Sequence, residues 1–200
     1  PKSVTSLPKP IWKPLVTISD KALNQCQYLC RKIANDEWVA ALMYSYTGAW
    51  ENETLEINIL DIYPLYHAHG MDFDGKYDFD YNYALDNGYN LGDFRLGLIH
   101  SHCNAGVFFS SPDTEELKGN SENHPFYLSL ITNNKNEWCG KVCIEHKKEV
   151  VESGNLIYRS TEGYLVSKAI NQNKVVKEHI IFDCDIYYNT PEVAPDFSER

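Results

Sequence analysis

The stretch Gly97-Leu-Ile-His100-Ser-His102-Cys-Asn-Ala-Gly-Val-Phe-Phe-Ser110-Ser-Pro-Asp113 decides how the rest of the chain is interpreted. Its apolar beginning predicts a central strand over 94–99, so that two histidines stand at a strand end. Side chains at i and i+2 of a strand point to the same face, which directs both imidazoles toward one ion. Asp113 follows in the first turn of a helix predicted over 111–120.

Two neutral imidazoles and one carboxylate are a ligand set that suits catalytic Zn²⁺, because the fourth tetrahedral position stays open for water. Each fragment alone is weak evidence. Alternate histidines are common in cores and on surfaces, and Ser110 to Asp113 has the spacing of a helix capping box. Their combined order and spacing favour a metal site formed by His100, His102 and Asp113.

The composition of the chain limits which classes of function are expected. The chain has 200 residues, 43% of them hydrophobic, and a formal net charge of −10. One domain with appendages is expected, and the acidic balance argues against nucleic-acid binding, which requires clustered Lys and Arg. No apolar run approaches the roughly 18 to 20 residues of a membrane span. Without a signal-like apolar segment, the six cysteines are interpreted as reduced thiols of a cytoplasmic protein.

The remaining pattern predicts alternating strands and helices. A strand over 15–18 precedes a helix over 20–34 with Ser19 as its N-cap, and strands follow over 38–46 and 55–65. A Gly- and Asp-rich insertion occupies 66–93. Later strands are predicted over 126–132, 137–145, 149–157 and 177–188, with a short helix over 163–173. This gives a Pro-rich arm (1–14), a catalytic domain (15–150) and an extension (151–200) that packs on or beside it.

H-S-H, followed after seven residues by S-x-x-D, resembles the JAMM motif of the JAB1/MPN/Mov34 metalloenzyme superfamily. The order strand, helix, acidic residue, hairpin, insertion, H-S-H and helix is similar to that family over roughly 15–150. The form Phe-Phe-Ser-Ser-Pro-Asp is most similar to its prokaryotic and phage branch. The resemblance implies an α/β fold (α+β in strict terms). It has a curved mixed sheet flanked by helices, with cytidine-deaminase-like layering.

The resemblance also implies a role for each site residue. His100, His102 and Asp113 would bind Zn²⁺, which lowers the pKa of bound water to about 7. Glu37, which opens the apolar strand after the first helix, would take the proton of that water and return it to the leaving amine. Ser110 would donate a hydrogen bond to the water or to the developing oxyanion.

The predicted function is therefore zinc-dependent hydrolysis of a peptide or isopeptide bond. The expected substrate is a protein or peptide, and a ubiquitin-like modifier or a protein tail is a candidate. One alternative is a catalytically silent MPN-fold scaffold, such as a phage virion or assembly component. Another is a zinc amidase acting on a small substrate. Neither a membrane nor a nucleic acid is an expected partner, the oligomeric state stays open, and a phage origin would place the protein in the host cytoplasm or the virion.

Other chemistry-bearing residues are weighed against structural roles. Cys103 stands where the family commonly has Pro, so it is either a rival zinc ligand or, as we favour, a packing residue. The pair Cys26 and Cys30 and the pair Cys139 and Cys143 are also interpreted as core residues.

The insertion holds two further candidates. His67 and His69 repeat the i, i+2 spacing, but no Asp or Cys follows at a suitable distance, so a loop or substrate-facing role is favoured. The acidic stretch 72–80 resembles a calcium loop only loosely. Following the resemblance, Tyr77, Tyr81 and Tyr83 are expected to line a groove beside the active site.

Overall fold

The computed structural model describes residues 12–68, 79–122, 124–159 and 165–189. Within these ranges, the elements in chain order are β1 (Leu15–Ile18), α1 (Asp20–Ile33), β2 (Glu37–Thr47), a 3₁₀ turn (Trp50–Asn52), β3 (Glu56–Ala68), α2 (Tyr81–Asp86), β4 (Arg95–Ser101), α3 (Ser111–Ser121), β5 (Tyr127–Thr132), β6 (Trp138–Arg159), β7 (Leu165–Asp183) and β8 (Asp185–Tyr188). The fold is thus mixed α/β, as the sequence predicts.

All of these strands form one curled sheet in the order β7-β6-β5-β4-β2-β3-β1-β8. Pairing is parallel where β1 meets β3 and β8 and where β4 meets β5, and antiparallel elsewhere. The two end strands, β7 and β8, are consecutive in the chain and are separated only by Cys184. The backbone N–H of Cys184 donates to the carbonyl of Gly140 on β6 at 2.9 Å, which brings the two ends of the sheet together.

Helix α1 packs inside this curl and carries the main core. Ser19 caps it, accepting a hydrogen bond from the N–H of Ala22 at 3.2 Å. The apolar stripe at helical spacing is buried and shares a core with Ile99 of β4 and Leu130 of β5. Cys26 and Cys30 belong to that stripe and form no disulfide, which confirms their interpretation as core residues.

Helix α3 packs on the opposite face. Strand register places His100 beside Ile131, and Ile131 beside Cys139, so these side chains share one face. Cys143 lies on the same face four residues further along β6, and its thiol donates to the hydroxyl of Ser121 at the end of α3, at 3.4 Å. The predicted metal ligands therefore lie between the sheet and α3, away from α1.

Strand β4 approaches β5 closely at Gly97. A Cβ at this position would lie 2.5 Å from the carbonyl oxygen of Leu128, nearer than any side chain tolerates. Glycine is therefore required where the strand that ends in His100 runs beside its parallel neighbour.

The structure corrects the prediction for the end of the chain. The predicted helix over 163–173 is wrong for 165–173, because these residues pair continuously with β6, from Leu165 opposite Arg159 to Asn173 opposite Val151. The strand predicted over 149–157 is the continuation of β6, so residue 150, the expected domain boundary, lies inside a strand. In the predicted insertion, 66–68 belong to β3 and 81–86 form α2, while 69–78 lie outside the described residues. None of the helices in the described ranges has the length and apolar character to cross a membrane.

Candidate metal centre

Three side chains meet where β4 ends and α3 begins. The Nε2 atoms of His100 and His102 lie 3.2 Å apart, and Oδ1 of Asp113 lies 3.4 Å from Nε2 of His100. One ligand atom from each residue falls within 4.8 Å of the others, and both histidines are buried. The structure therefore brings together the three metal ligands that the sequence predicts.

The spacing of these atoms fits a tetrahedral ion. With Zn–N and Zn–O distances near 2.0 to 2.1 Å, two ligands of a tetrahedral zinc are separated by about 3.3 Å. The His100–His102 and His100–Asp113 distances of 3.2 and 3.4 Å bracket that value. These residues could thus hold a metal ion, and the nitrogen and oxygen donors suit Zn²⁺.

A backbone carbonyl orients His102. Its Nδ1 lies 3.0 Å from the carbonyl oxygen of Gly106, so Nδ1 carries the proton and donates it to this acceptor. The lone pair then resides on Nε2, which faces His100. A backbone or carboxylate partner on the second ring nitrogen is the usual way in which proteins orient a metal-binding histidine.

Asp113 is held by the start of its own helix. Ser110 is the N-cap of α3: its Oγ accepts from the N–H of Asp113, and its own N–H donates to Oδ2 of Asp113 at 2.7 Å. The Ser110 hydroxyl also donates to Oδ2, at 2.6 Å. The capping box therefore occupies one carboxylate oxygen and leaves Oδ1 facing His100.

Burial keeps His100 in the form that binds metals. Desolvation lowers the pKa of His100 to about 4, the neighbouring His102 acts in the same direction, and the carboxylate of Asp113 opposes both. At neutral pH the imidazole is uncharged, so its lone pair is available without loss of a proton.

Glu37, the predicted acid/base, lies at the edge of this group. Val39 of β2 pairs with His100 of β4. One more step of two residues along each antiparallel strand puts Glu37 level with His102, on the same face. Glu37 is exposed and is not part of the three-residue group. Strand periodicity thus puts Glu37 near the end of β4 that carries the predicted ligands, with its side chain exposed.

Cys103 does not join the ligand group found among the described residues. It is half-buried in the turn after His102, with a positive φ of 46°. Burial raises the pKa of its thiol, and the carboxylates of Glu37 and Asp36 raise it further. A thiol that keeps its proton is a poor metal ligand, which agrees with its exclusion from the predicted site.

Three residues near the centre are absent from the sequence prediction. Phe108 is 59% exposed, and its ring stands edge-on to His102 with centroids 5.3 Å apart. Gly106 supplies the carbonyl for His102, and the hydroxyl of Ser101 accepts from the backbone N–H of Trp38. Only Ser101, inside H-S-H, has a position in the motif that could have singled it out.

The tyrosines of the insertion lie elsewhere than expected. Tyr81 lines a cavity of about 210 Å³ with Arg95 and Leu96, which are at the start of β4, whereas the histidines are at its end. Tyr83 donates to Oδ1 of Asp61 at 3.2 Å.

The other candidates of the insertion are largely outside the described residues. Tyr77 and His69 lie there, as does most of the acidic stretch 72–80, up to residue 78. Of His67, only the backbone is described, in β3 opposite Trp38.

Comparison with known proteins finds similar solved structures. No family model and no curated protein matches the chain. The fold is similar to the solution structure of protein DSY2949 from Desulfitobacterium hafniense, with 14% identity, a TM-score of 0.42, and coverage of 88% of this chain and 93% of that one. A likeness at this level contributes nothing about function.

Proposed function

We propose that the protein is a zinc-dependent hydrolase of peptide or isopeptide bonds, with His100, His102 and Asp113 as metal ligands. The observation that carries the proposal is that the ligand atoms of His102 and Asp113 lie 3.2 and 3.4 Å from Nε2 of His100, with all three atoms within 4.8 Å of one another where β4 ends and α3 begins. With three protein ligands, a fourth coordination position remains for water or substrate, as in catalytic rather than structural zinc sites.

A bound Zn²⁺ would supply Lewis acidity, polarising a substrate carbonyl and acidifying water. The proton transfers are assigned to side chains of the protein. Glu37 is the candidate general base and acid, because its register puts a carboxylate on the ligand face and its exposure lets it reach an incoming substrate. It would accept a proton from the attacking water and deliver it to the amine that leaves.

Ser110 has two proposed duties. Its hydroxyl proton is donated to Oδ2 of Asp113 at 2.6 Å, so its first duty is to hold that ligand. Its predicted second duty is to stabilise the oxyanion, and this requires the hydroxyl to turn from Asp113 toward substrate. A hydroxyl rotates freely about its C–O bond, so such an exchange of partners needs no backbone movement.

A macromolecular substrate is the class we favour. The acid/base Glu37 and the ring of Phe108 beside His102 are both largely exposed. An extended chain laid across this edge can contact both, whereas small-molecule sites are usually deep enough to enclose most of their ligand.

The test combines metal content with turnover. The purified protein is loaded with Zn²⁺, its zinc stoichiometry is measured, and it is incubated with ubiquitin-like conjugates, tailed proteins and small amides. We expect one zinc per chain and cleavage of a protein substrate. Glu37→Gln should keep the zinc and lower kcat by about 10² to 10⁴-fold, the usual value of general acid–base catalysis. Glu51→Gln, an exposed acid in the 3₁₀ turn that follows β2, is the matched control and should change neither.

Other results would point to the alternative functions. If zinc binds but wild type and Glu37→Gln are equally inert on the whole panel, the protein is a scaffold and the proposal fails. If only small amides are cleaved, the amidase alternative replaces it. If the protein binds no zinc after loading, both the peptide hydrolase and the amidase hypotheses are contradicted.

A further inference from the structure

Strands β6 and β7 extend beyond the rest of the sheet as a two-stranded ribbon. β5 pairs with β6 only as far as Cys143, whereas β6 and β7 stay paired up to Arg159 and Leu165. We define the ribbon as residues 149–159 and 165–175, which span roughly 35 Å at about 3.3 Å per residue. Two-stranded ribbons are only marginally stable by themselves and are commonly supported by packing against another element.

One face of the ribbon carries exposed apolar side chains. Cross-strand partners share a face, so the register Val151–Asn173 and Ile157–Ser167 puts the odd-numbered residues of both strands on one side, which we call the odd face. Every described side chain on it is exposed, over 149–157 and 165–175. Its large apolar members have exposed fractions of 59 to 72%: Val151, Ile157, Leu165 and Val175.

The order of residues along the odd face is self-complementary. Its rows from base to tip are Glu149/Val175, Val151/Asn173, Ser153/Asn171, Asn155/Ala169, Ile157/Ser167 and Arg159/Leu165. Apolar residues occur near both ends, and polar or small residues occupy the middle. An acidic residue stands in the first row and a basic residue in the last, on the same strand.

We propose that the odd face binds the odd face of a second copy of this chain, with the two ribbons antiparallel. A two-fold axis crosses them between the rows of Ser153 and Asn155, so that each strand lies over its own counterpart. Val151 then packs on Ile157 of the second copy, and Val175 packs on Leu165. Such a two-fold contact is self-complementary, because each ribbon contributes the same residues to it.

The pattern excludes the parallel arrangement of the same two faces. In the parallel arrangement, each residue of β6 would lie on the β7 residue of the same row in the second copy. Val151 would then lie on Asn173, and Ile157 on Ser167. Apolar surface would be buried against polar groups without partners, which is unfavourable. The antiparallel arrangement places the four large apolar side chains of the face on one another near its two ends and polar or small residues on one another in the middle. This match favours a second copy over an unrelated partner.

The size of the contact predicts a weak dimer. A face about 35 Å long and two strands, or about 10 Å, wide has a projected area of roughly 350 Å² on each copy, or about 700 Å² in total, which is below the range of stable specific interfaces. Association is therefore expected in the micromolar range, and it has to be measured over a concentration series rather than at one concentration.

The test uses sedimentation of the full chain with two charge substitutions. Wild type should show a monomer–dimer equilibrium. Val151→Lys and Ile157→Glu should each raise the dimer dissociation constant by about tenfold or more, because each buries a charge against an apolar side chain. The double variant should recover dimerisation, because each new ammonium then faces a new carboxylate of the second copy. Gln172→Lys adds a charge to the other face and should behave as wild type.

Disulfide crosslinking tests the same arrangement of the two copies. Val151→Cys combined with Ile157→Cys should give a disulfide-linked dimer on mild oxidation, and neither single variant should exceed the background of the native cysteines. Circular dichroism checks that each variant is folded, which the exposure of both positions favours. A wild type that stays monomeric throughout the series would overturn the proposal. So would single variants that dimerise normally, or a double variant that neither recovers dimerisation nor crosslinks.

Discussion

The backbone N–H of Trp38 donates a hydrogen bond to Oγ of Ser101 across 3.1 Å, in a buried position. Trp38 is the neighbour of Glu37 in β2, and Ser101 lies between the two histidines at the end of β4. A side-chain hydroxyl thus continues the ladder where main-chain pairing between these strands ends at Val39 and His100. This contact holds the backbone next to the candidate acid/base against the strand end that carries the candidate metal ligands.

Replacing Ser101 should therefore separate catalysis from metal binding. In Ser101→Ala the N–H of Trp38 loses its acceptor in the protein interior, at a cost of about 1–3 kcal/mol of unfolding free energy. We expect Glu37 to lose its fixed position, so that kcat falls about tenfold or more while zinc stoichiometry and KM change little. Steady-state kinetics and metal analysis on the same preparations measure this.

Ser101→Thr is the rescue variant, because it keeps the hydroxyl. It should retain most of the activity if the hydrogen bond is what matters. A loss of zinc in Ser101→Ala would show instead that the serine acts on the histidines and not on Glu37.

Removing the N-cap of α3 should weaken metal binding as well as the helix. Ser110→Ala deletes the hydroxyl that accepts from the N–H of Asp113 and donates to Oδ2. We expect a loss of about 1 kcal/mol in stability and a 10- to 100-fold weaker zinc affinity, as for other partners of metal ligands. Competition with a zinc chelator gives the affinity, and Ser111→Ala, exposed on the same turn, is the control.

Metal removal should lower thermal stability. A ligand that binds only the folded state stabilises it by about 2.7 kcal/mol at a hundredfold excess over its Kd. Chelation of wild type should therefore lower Tm, and Asp113→Asn should respond little because one ligand charge is lost. Glu115→Gln, on the same helix but largely exposed, should respond as wild type does. An equal Tm with and without metal in wild type contradicts the site.

Asp61 provides a prediction on pH and stability. Its side chain is fully buried, and the ammonium of Lys21, itself 45% exposed, lies 2.6 Å from Oδ2. Burial alone would raise the pKa of Asp61. Hydrogen bonds from Lys21, Gln25 and the N–H of Ile62 outweigh it, so the pKa lies below its usual value.

The sign of the effect follows from that lowered pKa. The ionised form is favoured in the folded state, so the pair stabilises the fold above the unfolded pKa of about 3.9 and loses this contribution as pH falls through the folded pKa. Asp61→Asn should cost about 2 kcal/mol at pH 7, less than a fully buried pair because Lys21 stays partly solvated. The difference from wild type should shrink below about pH 4. Denaturant titrations at several pH values measure it, with Asp86→Asn as an exposed control; a difference that grows at low pH contradicts the assignment.

The ligand set could be predicted from the sequence because its chemistry is local. His100 and His102 share a face through strand periodicity alone, and Asp113 follows within one loop and the first turn of a helix. The spacing of Ser110 and Asp113 is typical both of a helix capping box and of the predicted metal site. The structure contains the capping box, and its hydrogen bonds also orient the carboxylate of Asp113.

Contacts between residues that are far apart in the chain could not be predicted from the sequence. The spacing of Tyr81 and Tyr83 says nothing about which end of β4 they meet, and they lie toward Arg95 and Asp61, not beside the histidines. The pattern over 165–173 predicts a helix, and this prediction is wrong because the segment pairs with β6, which satisfies its backbone groups as a strand. The intrinsic preference of a short segment carries no information about such a partner.

The sequence by itself determined which atoms could bind a metal, since residue type and periodicities of two and 3.6 residues fix which side chains share a face. It also determined α1 and most strands through apolar patterning. Only the tertiary structure decided that β2 and β4 are neighbours, so that Glu37 lies near the end of β4, that Ser101 joins these two strands, and that the odd face of the ribbon is exposed. These relationships join residues far apart in the chain, and they depend on strand order and register, which come from the packing of the whole sheet.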